Sequence, residues 1–523
     1  MTEAILLEGG AVVDGSGAGP RSADVLVVDG KIEAVGRSLA GYRTAERIDV
    51  RDAYVLPGFV DVHAHDDLAV FTSERLEPKL RQGVTLDVVG NCGHGGAPTS
   101  TRADLSAYSA PILGGAGGSM AGRRWPAFSD YLEAIAQAPR ATHVAALVPH
   151  GPLRAAVLGV ERRPATRAEV GRMTRLLDEA LAAGAVGLSL GLMYPPGNAA
   201  GSDELRALAE TVGRHGKLLV AHVRNEADRI LDSIAELAEL GLAGGCPVHV
   251  SHLKVTSPAN HGRMPEVLEA LEGWRRHGVD VTADVYPYVA GSTTAATLFP
   301  PWAADRGLDS LLGAMREQRD RIVEELLQPW GDLENYFRSL GPERIHLGGA
   351  SLAAHAAERG QDAADCLVDL VQAAEGNLPV VLFQQSETDI RTALSWPYTM
   401  IGSDGLPLPS GPVHPRLYGT FPRVLSRYTG PTLGWGEAVR RMTSLPAARF
   451  GFPGRGTICA GGVADLVVVR PDRLEDTATY DDPRRFPHGV ELVLVGGAPA
   501  WQPGRDLTTR GGLVRTVRAG LTR

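Results

Sequence analysis

Short apolar runs alternate with amphipathic stretches through most of this chain. YVLPGFVDVHAH, VTLDVVGNCG, HVAALVPHG, AVGLSLGL, KLLVAHVRN, PVHVSHLKV, VDVTADVYPY and TMIGSDG each carry a compact apolar block and are bounded by turn-forming residues. That is the pattern of parallel strands buried on both faces. Segments of helical period separate several of them, such as RAEVGRMTRLLDEALAAG and SDELRALAETVGRHG. Eight such units predict an α/β protein built on a TIM-like (β/α)8 barrel, with its site at the C-terminal ends of the strands. Residues 4–50 and 456–500 differ: they hold short β-patterned runs broken by Gly-rich turns. These predict one small β-domain shared by both chain ends, over 1–55 plus 455–523, beside a catalytic barrel over 56–454. Extra sequence near 303–345 predicts helices inserted after the seventh strand.

Composition narrows the class. The chain has 523 residues, of which 44% are apolar and 22% charged, and a formal charge of −9. No basic face is expected, which argues against nucleic acid or an anionic membrane as the main partner. No apolar run approaches the ~20 residues needed to cross a bilayer. MTEAILLEGG lacks a basic region followed by an apolar stretch, so no secretion signal is expected. Cys92, Cys246, Cys366 and Cys459 are too scattered for a disulfide framework, and a reduced, cytoplasmic setting is expected.

The candidate chemistry sits at the strand ends. His63 and His65, in PGFVDVHAHDD, flank one residue at the end of an apolar run. Period-two alternation aims both imidazoles to one side, which is poor packing and a good pair of metal ligands. Other strand ends add Cys92 in VVGNCG, His222 in VAHVRNE, His252 in HVSHLKV and Asp404 in GSDG. Singly, each has a structural alternative: a core filler, a satisfied imidazole, a helix cap. Six together on one barrel edge are hard to explain by packing. Thiolate with imidazole suits Zn²⁺, and a fourth position left to water lowers that water's pKa towards ~7. A carboxylate nearby could take the water's proton and pass it to a leaving amine. The expectation is a hydrolase acting on a small molecule. Lys254, two residues after His252, faces the same cavity if the strand continues, and Arg416 in HPRLYGTF could grip a carboxylate through two parallel hydrogen bonds. Tyr194, Tyr286, Tyr288 and Ser292 are candidate pocket residues, and Pro287 leaves open which tyrosine faces in. Arg224, Asn225 and Glu226 are expected to brace the metal site. His150 and His414 rank second, and His94, His143 and His249 are expected to be structural.

PGFVDVHAHDD, VVGNCG, GLSLGLMYPPG, AHVRNE, SHLKV, DVYPY, IGSDG and HPRLYGTFPRVL together resemble the N-acyl-D-amino-acid deacylases (D-aminoacylases) of the amidohydrolase superfamily, over about residues 5–470. The resemblance implies a metal-bearing barrel with a β-sandwich built from both chain ends. It implies that Cys92, His222 and His252 hold a tightly bound zinc, that His63 and His65 belong to a second, weaker site, and that Asp404 is the catalytic acid/base. It further implies that Lys254 meets the substrate carboxylate and that Tyr286 and Ser292 touch substrate. The preference for D-substrates comes from the resemblance alone. Hydantoinase-like and dihydroorotase-like relatives bridge two metals with a carbamylated lysine on strand four. Here Lys31, Lys79, Lys217 and Lys254 are the only lysines and none lies on that strand. Leu190 and Met193 depart from the family pattern and leave the acyl preference open. A deacylase restricted to N-acyl-D-Glu or D-Asp, and an amidohydrolase for another N-acyl or D-residue-containing peptide-like compound, remain alternatives.

Overall fold

Eight parallel strands carry the catalytic half of the chain: β1 (Phe59–Asp61), β2 (Val84–Val89), β3 (His143–Ala146, continued at Val148–Pro149), β4 (Gly187–Gly191), β5 (Leu218–His222), β6 (Val248–Val250), β7 (Val281–Val285) and β8 (Thr399–Ile401). The structure is a computed structural model and describes residues 4–39, 41, 46–72, 76–100, 123–304, 306–376, 378–408 and 413–516. The outermost residues of the range assigned above to the terminal domain, 1–3 and 517–523, lie outside the described residues. Neighbouring strands pair in sequence order from β1 to β7 and then β8, and a parallel bridge between Ala64 and Gly405 links the last strand end to the first. This is the expected (β/α)8 architecture.

Alternation along each strand divides its residues between two environments. Leu218 and Val220 of β5 pack with Val60, Leu86, Val88, Leu147 and Met400 from other strands. Leu219 and Ala221 instead join a cluster containing Leu205, Leu208 and Leu237 from the helices. His222 continues the series of Leu218 and Val220, so the periodicity itself carries its ring inward at the strand's end. The helix Arg167–Ala182 shows how the intervening segments are set. Thr166 and Glu169 form a reciprocal cap, with Glu169 N donating to Thr166 Oγ1 at 3.3 Å and Thr166 N donating to Glu169 Oε2 at 2.8 Å. Met173, Leu177, Ala180 and Leu181 then form its buried stripe.

Two sheets belong to the chain ends. One orders Lys31–Gly36, Asp24–Val28, Ala4–Glu8 and Glu46–Asp49; the other orders Ala498–Trp501, Val490–Val495, Leu466–Val469, Tyr54–Pro57, Ala11–Val12 and Arg21–Ser22. Ile5, Leu7, Val25 and Val27 meet Val55, Leu466, Val468, Leu492 and Leu494 in a shared core. The run YVLPGFVDVHAH, read above as one strand, is two. Tyr54–Pro57 pairs with Leu466–Val469, whereas Phe59–Asp61 pairs with β2. Gly58 makes the transfer possible, because a Cβ there would collide with the Thr85 side chain.

The insertion after β7 is longer than 303–345 and only partly helical. It includes an antiparallel sheet of Ala290–Thr294, Pro379–Phe383, Ile345–Leu347 and Ala350–Ser351, with helices at Leu308–Glu317, Arg319–Leu326, Leu352–Arg359 and Ala363–Ala373. It has its own core, including Phe299, Ile322, Phe337, Leu347, Leu367 and Val380.

At the opposite end of the barrel, residues 511–516 cross the strand starts. Val144 N donates to Gly512 O and Val514 N to Val144 O, while the buried Lys217 ammonium donates to Thr516 O and Oγ1, both at 2.6 Å. Lys217→Met should therefore lower unfolding stability by about 1.5–3 kcal/mol, the scale of hydrogen bonds to a charged group. Urea unfolding checks it, and kcat and KM should stay at wild-type values.

Candidate metal centre and active site

The strand ends converge on one buried cluster. Cys92 Sγ lies 3.2 Å from His63 Nε2 and 3.3 Å from His252 Nε2. Asp404 Oδ1 lies 3.1 Å from His65 Nε2 and 3.4 Å from His63 Nε2. Two groups of potential ligand atoms result, each within 4.8 Å internally: Cys92, His222 and His252, and His63, His65, Cys92 and Asp404. Cys92 belongs to both. The His222 and His252 rings are 4.4 Å apart between centroids.

Local backbone explains the convergence. Cys92 sits beyond β2 with φ 54°, His252 beyond β6 with φ 37°, and Asp404 beyond β8 with φ 50°. Left-handed backbone at non-glycine residues is a form of strain that concentrates at functional sites. The Cys92 loop is held by Ser189, which accepts from Gly93 N at 3.1 Å and donates to Gly90 O. It lies so close to β4 that a Cβ on Gly191 would overlap the Cys92 carbonyl.

Electrostatics set the protonation states. Burial alone would raise the Asp404 carboxyl, but the Arg416 guanidinium, 2.8 Å away, and the neighbouring histidines hold it well below the usual carboxylate range. Burial pushes the Cys92 thiol up, with His63 opposing. Burial likewise keeps His222 well below the ordinary imidazole value. Both His222 ring nitrogens are buried without a hydrogen-bond partner among the described residues. A buried polar ring left so costs free energy unless something takes a lone pair. A thiol that a cation could hold as thiolate, beside a neutral imidazole with unshared nitrogens, fits a divalent ion such as zinc.

Around the cluster is a cavity whose walls include Tyr194, Lys254, Tyr286, Ser292, Asp404 and Arg416. Lys254 is buried, 2.7 Å from Glu226 Oε1 and 2.7 Å from His252 Nδ1. Arg416 lies over the Tyr286 ring, 4.7 Å to its centroid, and donates to Ser292 O at 3.0 Å. Tyr194 packs edge-on to His222 at 4.7 Å. Tyr286 faces the cavity, whereas Tyr288 turns away and donates to Asp476 at 3.1 Å. Glu226 braces the centre, 3.1 Å from His252 Nδ1 and 3.7 Å from His222 Nε2. Arg224 instead pairs with Glu236, and Asn225 with its own loop. His150 pairs with Glu204, His143 with Asp465, and His414 accepts from Arg416 N. His94, expected to be structural, borders the cavity.

Sequence reasoning missed Asp284, on β7. One of its oxygens is 3.3 Å from His63 Nδ1 and 3.0 Å from His249 Nε2. Against the effect of burial, those two rings hold its carboxyl far below the usual range, and its contact with His63 Nδ1 fixes the orientation of that ring. The signal was available: a carboxylate in phase with Thr282 on a strand buried throughout. Tyr336, Leu382 and Gln384 of the insertion also border the cavity.

Comparison with known proteins gives the context. The profile of the amidohydrolase family matches residues 46–328 and 349–500. A D-aminoacylase of Alcaligenes xylosoxydans xylosoxydans is 39% identical over 502 residues, 95% of this chain and 94% of that protein. A solved D-aminoacylase with a binuclear metal center superposes with a TM-score of 0.82 at 36% identity, covering 98% of this chain and 99% of the other. An N-acyl-D-glutamate deacylase from Bordetella bronchiseptica, solved with zinc and a phosphonate mimic of the tetrahedral intermediate, gives 0.83 at 33% identity, with 98% and 99% covered. With a profile spanning most of its length and relatives matched nearly end to end, the chain belongs to the amidohydrolase family, in its D-aminoacylase branch.

Proposed function

We propose that this protein hydrolyses the amide bond of N-acyl-D-amino acids, releasing a carboxylate and a free D-amino acid, with zinc as cofactor. The observation that carries the reading is the meeting of one thiol and two imidazoles, Cys92, His222 and His252, beside a buried carboxylate that its surroundings keep ionised. Zinc held by those three side chains would supply Lewis acidity towards the scissile carbonyl and make an attacking water more acidic. His63 and His65, with Cys92, form the second, weaker site. Asp404 Oδ1 takes the proton of the attacking water and later delivers it to the departing nitrogen. Arg416 keeps Asp404 ionised and aligned. Lys254 and Arg416 place two cations on the wall where the substrate's carboxylate would lie, with Tyr286 and Ser292 beside them. Four unpaired cysteines support a reduced, cytoplasmic setting.

Side-chain preference follows from charge. Lys254 and Arg416 are the cations bordering the cavity among the described residues, and each already pairs with a carboxylate, Glu226 and Asp404. Among the described residues, no third cation borders the cavity to meet an acidic side chain. An adjoining recess includes Met193, Phe299, Trp330 and Leu333 in its lining and shares Tyr194 with the cavity. Neutral, apolar substrates are therefore favoured over acidic ones. An assay of N-acetyl-D- and L-amino acids, with metal analysis of the same sample, tests this. N-acetyl-D-leucine or D-methionine should exceed N-acetyl-D-glutamate and D-aspartate at least about tenfold in kcat/KM, a difference of ~1.4 kcal/mol, and the L-enantiomers should be poor substrates. Turnover confined to the acidic substrates would replace this preference with the acid-restricted reading.

A further inference from the structure

A second buried charge cluster lies behind the first. Asp61 on β1 and Asp87 on β2 are register partners, each flanked by valines or leucines that face the other side of the sheet. Burial pushes the Asp87 carboxyl well above the usual carboxylate range, with the Lys79 ammonium opposing. Lys79, on the helix Glu77–Leu80, meets them: its ammonium is 2.5 Å from Asp61 Oδ2, 3.2 Å from Asp66 Oδ2 and 3.8 Å from Asp87 Oδ1. All four side chains are at most 2% exposed. Thr142 donates to Asp87 Oδ2 at 2.6 Å.

The same ammonium reaches the catalytic end. It donates to Ser403 Oγ at 2.6 Å, and that oxygen also receives Gly405 N at 3.1 Å. Asp61 Oδ1 accepts from both Ser403 N, at 2.8 Å, and His63 N, at 3.2 Å. Asp404 N donates to His63 O at 2.7 Å. One lysine thus fastens the residues on either side of Asp404, whose backbone is left-handed, and the carboxylate that ties this segment to His63. We propose that Lys79 is a positioning residue: by holding Asp61 and Ser403 together it sets the separation between the His63 ring and the Asp404 carboxylate, and with it the reactive geometry. It touches neither substrate nor metal.

The proposal rests on the deacylase reading for its kinetic arm only; its structural arm stands apart. In a crystal structure of Lys79→Met, the His63 Nε2 to Asp404 Oδ1 distance, 3.4 Å here, should widen by about 1 Å, a displacement able to cost about 100-fold in rate. Kinetically, kcat should fall on that scale with KM unchanged. Zinc at Cys92, His222 and His252 should stay at one equivalent, while affinity at the His63 and His65 site drops. Should Lys79→Met fail to fold, Ser403→Ala keeps the lysine and its carboxylates while removing the ammonium's link to the last strand, together with the acceptor of Gly405 N and a 3.4 Å contact to His63 O, and should give a smaller change in the same direction. A folded variant whose separation stays within about 0.5 Å, the tolerance of a preorganised site, overturns the proposal, as does a rise in KM with kcat retained. Absence of any turnover by the wild-type protein would sink the deacylase reading and leave the structural arm to decide.

Discussion

Replacing Asp404 with asparagine is expected to lower kcat by about 10²–10⁴-fold, the range contributed by a positioned general acid–base, while one equivalent of zinc stays bound. Asparagine preserves shape: its amide oxygen can still accept from Arg416, and its NH2 can donate to the His65 ring nitrogen, so both keep a partner. What it loses is the negative charge that accepts a proton from water and returns it to nitrogen. Alanine is the blunter test, because it strands the buried Arg416 guanidinium without its carboxylate, which carries a folding cost of its own. The metal content separates the two roles of the locality. If Asp404 served mainly as a ligand, zinc and activity would fall together. If it moves protons, activity falls alone. Stopped-flow turnover and metal analysis on one preparation give the answer, and retained turnover refutes the assignment.

Cys92→Ala should have the larger effect on metal. Sulfur is the soft donor here, and Cys92 belongs to both potential ligand groups. Its removal is expected to weaken zinc binding by more than the ~10–100-fold typical of changes behind a ligand, and to abolish turnover in metal-limited buffer. Cys92→Ser should fail as well, since a neutral hydroxyl replaces a thiolate. Both variants should fold. Cys92 already occupies left-handed backbone, so the substitution adds no new backbone strain, and alanine or serine fits the space the thiol leaves. Equilibrium dialysis against zinc, with circular dichroism to confirm folding, checks the expectation.

Most of the barrel was readable because its strands are buried on both sides, and such strands announce themselves as apolar runs. The candidate site was legible for a related reason: His222 follows Leu218 and Val220 in phase, so a polar residue at the end of an apolar alternation stood out. Other parts depend on contacts between distant segments. The split at Gly58 depends on which neighbour each half of YVLPGFVDVHAH finds, information held near residue 466 and near Thr85. Ala290–Thr294 reads AGSTT, with no apolar alternation, and becomes a strand only by pairing with Pro379–Phe383. Asp284 and Lys79 were passed over because a carboxylate inside a strand and a lysine on a four-residue helix look unremarkable until their partners, His63, His249 and Asp61, are brought beside them. The Tyr286 and Tyr288 ambiguity was resolved by Asp476, from the far end of the chain.

The central claim is that one sulfur and two imidazoles hold the working ion. X-ray absorption at the zinc edge, on protein loaded with one equivalent, tests it most directly. The account predicts one sulfur at ~2.3 Å with nitrogen neighbours at ~2.0–2.1 Å, and loss of the sulfur shell in Cys92→Ala. A shell of nitrogen and oxygen alone in the wild-type protein would contradict it.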